Sequence, residues 1–186
     1  MKKILLAATV MLMIVFCVGC KTENSLKITD KKIQNRVLYN KITNSINKEF
    51  LNESLSKEEA EEWYNMSALP ETKEEVKQLL EEEYKVLKLN KENDILLSWE
   101  TIEKTAKTEF ESLKTDESQK GYYEALKKHL DEQKITEEKY IELFSDKAYY
   151  TYNEMALQNF FSRNLYDKSS DKSFDDQFEE YIKNVK

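Results

Sequence analysis

Apolar residues recur along most of this chain at steps of three to five, with charged residues between them. That is the period of helices buried on one face. Ile33, Val37, Ile42, Ile46 and Phe50 mark a first amphipathic helix from about Asp30 to Leu51. Ser56-Lys57-Glu58-Glu59 reads as a capping box and starts a short helix carrying Ala60, Trp63 and Tyr64. After Pro70, a second box, Thr72-Lys73-Glu74-Glu75, opens a helix with Val76, Leu79, Leu80, Tyr84 and Leu87 on one face, ending between Asn90 and Asp94. Ser98 is the expected N-cap of a helix presenting Trp99, Ile102, Ala106, Phe110 and Leu113. Tyr122, Ala125, Leu126, His129 and Leu130 mark the next. Ile135-Thr136-Glu137-Glu138 begins the longest helix, to about Tyr166, and Phe174 to Val185 forms a last short one. No strand alternation and no sustained heptad occurs, so the expected fold is all-α, an irregular multi-helix domain with one long helix in its C-terminal half.

Composition agrees. Among 186 residues there are two Gly and one Pro, where average usage would give about thirteen and nine. Turn-rich β architectures are disfavoured, and Gly19 and Gly121 alone cannot form a phosphate-cradling loop.

The N-terminus breaks the helical pattern of the rest. Met1-Lys2-Lys3 is a positive start, Ile4 to Phe16 is almost unbroken apolar sequence, and Lys21 returns the chain to polar residues. The run is short for a membrane span and suits a secretory signal. Gly19-Cys20 at its end resembles the lipobox of bacterial lipoproteins, although Cys17 stands where that family usually has Leu. The resemblance implies cleavage before Cys20 and acylation of its sulfur, leaving the mature protein without a thiol or a disulfide. The expected organisation is a signal peptide at 1–19, a tether at 20–27, a helical domain at 28–166, and a linker with a short terminal helix at 167–186. The expected location is the outer face of the cytoplasmic membrane, lipid-anchored. The net charge of −7 becomes two units more negative without Lys2 and Lys3. Such a chain has no electrostatic reason to bind nucleic acid.

Little catalytic chemistry can be written from the remaining residues. His129 is the one histidine, which excludes a multi-histidine metal site, and it lies beside Lys127 and Lys128 without a nucleophile motif to serve. Carboxylate pairs such as Glu58-Glu59, Glu61-Glu62 and Asp175-Asp176 fall beside Lys at helical spacing, the pattern of a solvated face. No calcium-loop pattern occurs. No catalytic residue, metal ligand or cofactor is assigned, and the protein is expected not to be an enzyme.

The informative feature is aromatic. Tyr140, Phe144, Tyr149, Tyr150, Tyr152, Phe160, Phe161 and Tyr166 crowd the long helix, with Met155 and Leu157 among them. Tyr140, Phe144, Ala148, Tyr152 and Met155 form one face, while Tyr149, Tyr150, Leu157, Phe160 and Phe161 wrap onto other sides. A helix of this kind is either buried all round or exposes some of its rings. Tyr149, Tyr150, Met155, Phe160 and Phe161 are the candidate peptide-binding residues, lining a cleft against the helix of Val76 to Leu87; burial among neighbouring helices is the competing reading.

Three segments also resemble the N-terminal helical domain of SurA-type and PrsA-type extracytoplasmic chaperones. They are ITDKKIQNRVLYNKI (28–42), EEVKQLLEEEYKVLKLNKENDILLSWETIEKTAKTEF (74–110) and YYEALKKHLDEQKITEEKYIELFSDKAYYTYNEMALQNFF (122–161). The family's opening Val-Asn-Gly strand is missing. The 20 residues after Tyr166 leave no room in this sequence for a parvulin-type domain. The resemblance therefore implies a chaperone-like protein that binds extended or unfolded polypeptide, without isomerase activity. The alternative is an accessory or structural lipoprotein that contacts one membrane or envelope protein.

Overall fold

The structure is a computed structural model that describes residues 27–184; the expected signal peptide, the lipidation site Cys20 and most of the tether lie outside the described residues. Seven helices and no strand are found among the described residues, so the all-α expectation holds. They are α1 (Asp30–Ser54), α2 (Lys57–Ser67), α3 (Lys73–Glu92), α4 (Trp99–Thr115), α5 (Lys120–Gln133), α6 (Glu137–Asn164) and α7 (Phe174–Lys183). None is long and apolar enough to cross a membrane.

Local chemistry sets the boundaries. Both expected capping boxes form: the side chains of Ser56 and Thr72 accept from the Glu59 and Glu75 amides, and those carboxylates reach back to the cap amides. A third, Ser173 with Asp176, starts α7. Ser98 and Thr136 cap α4 and α6 as their sequence positions suggest. With so few glycines, two sharp exits fall to other residues. Asp94 and Lys134 both take a left-handed conformation, each at φ 56°. The following Ile95 and Ile135 amides then bond back to the carbonyls of Asn90 and Leu130, both at 2.9 Å.

Helix α6 is the axis of the domain, contacting α1, α3, α4 and α7. Its length passes through three apolar clusters. Val76, Leu80 and Leu87 of α3 meet Ile102 and Ala106 of α4 around Ala148, Tyr149 and Tyr150. Tyr39, Ile42 and Ile46 of α1 meet Phe110, Leu126 and Leu130 around Tyr140 and Leu143. Val86, Leu89, Leu157, Phe161 and Phe178 join α3, α6 and α7. Phe144 touches the first two clusters. The third cluster packs α7 against α3 and α6.

Helix α2 is built differently. Among the described residues its only substantial neighbour is α1, and Ala60 is its one buried residue.

Candidate functional site

The structure divides the candidate peptide-binding residues. Tyr149, Tyr150 and Phe161 are only 3–4% exposed, so they belong to the core and line no open cleft. Their partners explain why the aromatics occupy several sides of one helix. The Tyr149 ring lies 5.5 Å from Trp99 of α4, and Tyr150 lies 5.9 Å from Tyr84 of α3. Phe161 is surrounded by Phe174, Phe178 and Tyr181 at 5.3–5.6 Å. Each ring points at a different neighbouring helix. Met155 is exposed and Phe160 half-buried, and these two do not make a lined groove by themselves.

Beside Tyr150 lies a charged cluster that sequence patterning does not reveal. Arg36 of α1 is buried at 1% exposure. Its Nη1 donates to Glu83 Oε1 at 2.7 Å, and Lys147 Nζ donates to the same oxygen at 3.3 Å. Asp146 Oδ2 stands 3.8 Å from Arg36 Nη2, and the guanidinium carbon lies 5.0 Å from the Tyr150 ring centre. Burial raises the Asp146 carboxyl above the usual carboxylate range, against the pull of Arg36 and Lys32. Burial, then the Asp146 charge, drives the Tyr150 phenol well upward. A perturbed acid beside an arginine is a common catalytic arrangement. Here it ties α1, α3 and α6 together inside the fold, with a guanidinium that solvent barely reaches.

A second set of buried polar groups positions α2. Asn44 is 2% exposed; its Nδ2 donates to Leu69 O and to Glu71 Oε1, while its Oδ1 accepts from Leu69 N, all at 2.8 Å. Asn40 donates to Pro70 O at 2.6 Å. Two asparagines of α1 thus hold the chain where it leaves α2, while the Ser56–Glu59 box caps the helix at its start. Between these points, Trp63 and Met66 are 56% and 65% exposed. Phe50 near the end of α1 and Leu55 in the connection are also exposed large apolar residues. Glu58, Glu59, Glu61 and Glu62 are all exposed around them. At helical spacing Glu59, Glu62, Trp63 and Met66 fall on one face. The Glu59 carboxyl is held below its ordinary value by the Ser56 hydroxyl and amide, so it is anionic near neutrality.

Other candidates do not assemble a site. His129 contacts Gln133 at 2.6 Å on α5, one turn away, with no nucleophile beside it. No cluster of three His, Cys, Asp or Glu that could hold a metal ion exists among the described residues. No protein-family model matches the chain, and no curated protein or solved structure shows significant similarity to it. The fold therefore defines a class, an all-α domain, and the functional reading rests on the surface of the chain itself.

Proposed function

We propose that the protein is a lipid-anchored, non-catalytic accessory protein on the outer face of the membrane, which docks one partner protein through the α1–α2 hairpin. The observation that carries this reading is the contrast in placement: Tyr149, Tyr150 and Phe161 are used up in the core, while Trp63 and Met66 are displayed on a helix capped at its start and tied to α1 at its end. Exposed large apolar residues gathered on one element, with a polar surround, are a usual mark of a protein contact. The lipobox-like Gly19-Cys20 supports the location.

Whole-cell chemical crosslinking tests this. Wild type should give one discrete higher-mass band that the Trp63→Ala/Met66→Ala variant loses, and Cys20→Ala should abolish lipid anchoring. A broad smear of adducts would favour the chaperone-like reading, in which many unfolded chains are bound. Absence of any band dependent on Trp63 and Met66 would contradict the proposal.

A further inference from the structure

The α2 surface also carries information about its partner. Besides Lys57, Asn65 and Ser67, its exposed residues are large apolar side chains and carboxylates. Glu59 and Glu62 share the face of Trp63 and Met66, Glu58 and Glu61 lie beside it, and Lys57 at the first turn is the helix's one cation. The nearby Lys48 is occupied over the Tyr64 ring, 5.2 Å from its centre. No basic group lies within α2 beyond its first turn to neutralise this face.

A membrane surface does not fit it. Anionic lipid would be repelled by four glutamates, and Trp63 and Met66, even with Phe50 and Leu55 nearby, are too few to insert a helix against that repulsion. Position argues the same way. The described chain enters at Lys27, whose carbonyl accepts from the Tyr84 hydroxyl at 2.6 Å just before α1 begins. Helix α1 then runs 25 residues, roughly 37 Å at 1.5 Å per residue, before the hairpin to α2. The Asn44–Leu69 bonds and the Lys48–Tyr64 contact set the display beside the C-terminal half of α1, whereas an anchor at Cys20 would precede its start. A second copy of this acidic chain would meet like charge at the same face.

From this charge pattern and position we infer that the occupant of α2 is a cationic amphipathic segment of another protein, its apolar side chains against Trp63 and Met66 and its Lys or Arg groups against Glu58, Glu59, Glu61 and Glu62. This inference rests on the partner-docking reading above and specifies the chemistry of that partner. The apolar contact supplies affinity, and the carboxylate collar supplies orientation and fast, salt-sensitive encounter.

The test uses the full-length protein in phosphatidylcholine vesicles, with protein-free vesicles as the blank and a Trp99→Phe background so that Trp63 alone reports. Two synthetic amphipathic helices are titrated, identical on the apolar face, with Lys on the polar face of one and Glu on the other. The Lys-faced peptide should shift Trp63 emission saturably, bind on the order of tenfold more weakly when salt rises well above physiological strength, and be preferred over the Glu-faced peptide. Met66→Ala should weaken it by up to roughly thirtyfold, the effect of truncating an interface anchor. Glu61→Lys/Glu62→Lys, with unchanged helicity, should reverse the preference. Equal binding of both peptides, no saturable shift with either, or a Trp63 shift produced by phosphatidylglycerol vesicles without peptide would each overturn the inference. A whole-cell band dependent on Trp63 and Met66 would survive such a failure, so loss of the cationic assignment is distinguishable from loss of the docking function.

Discussion

Helices α6 and α2 both carry large apolar residues on more than one side, and the fold treats them oppositely. In α6 the buried rings are shared among several neighbouring helices: Tyr140 packs toward Tyr39 of α1 and Phe110 of α4, Tyr149 toward Trp99 of α4, and Phe161 toward α7. In α2, Ala60 is buried and Trp63 and Met66 stay outside. Aromatic content by itself therefore does not locate a binding surface. What decides is the number of neighbours around the helix, and an eleven-residue helix with one substantial neighbour cannot bury a second stripe.

The largest expected effects lie on the α6 side. Arg36→Met removes the cation that Glu83 and Asp146 face, and breaking a buried ion pair in this way costs about 3–5 kcal/mol. Denaturant unfolding should show the loss. The pH dependence has a definite sign. The folded Asp146 carboxyl titrates above its ordinary value, so this group contributes stability while protonated and loses it as pH rises from the ordinary carboxylate value through the raised folded one. Arg36→Met removes the group that pulls this carboxyl down, so the variant should lose most stability near neutrality and recover part of it on mild acidification. A pH-independent loss would contradict the assignment.

Phe161→Ala should cost about 3–5 kcal/mol, the range for a truncated core aromatic, whereas Trp63→Ala should cost less than about 1 kcal/mol. Unfolding midpoints of the two variants, measured side by side, sharpen the comparison directly. Equal losses would mean that α2 packs like α6.

Asn44→Ala breaks the attachment of α2. It leaves the Leu69 amide and carbonyl without their partner and should cost about 1–3 kcal/mol. Hydrogen exchange should speed up in α2 before it does in α6.

Legibility in the sequence follows the same division. The capping boxes at Ser56 and Thr72 and the caps at Ser98 and Thr136 were readable because they are local, and they place four helix starts. The core status of Tyr149, Tyr150 and Phe161 was not readable, because it depends on which helices surround α6. Phe50 continues the apolar spacing of α1 yet ends exposed, since the stripe outruns its neighbours. The apolar pattern assigns no role to Arg36, Asn40 and Asn44, which the fold buries. Their signal was present: they recur at steps of four beside Ile42 and Ile46, and Asn is a poor interior helix residue unless its amide is used. Arg36 is also one of only two arginines in a lysine-rich chain, and the planar guanidinium suits buried pairing better than an ammonium does.

The smallest expected effect concerns a helix exit away from both regions. Lys134 is exposed and left-handed at the end of α5, so Lys134→Gly should raise stability by about 1 kcal/mol by relieving that conformation. A thermal melt would show it, and a loss of stability would mean that the Lys134 side chain contributes a contact.

The central claim is that α2, and not α6, meets another protein. It is tested most directly by placing a photoreactive phenylalanine analogue, one position at a time, at Trp63, Met66, Met155 and Phe160 of the full-length protein in its native cells. The account predicts a discrete adduct from positions 63 and 66 and none from 155 and 160. Adducts from 155 and 160 with none from 63 and 66 would contradict it.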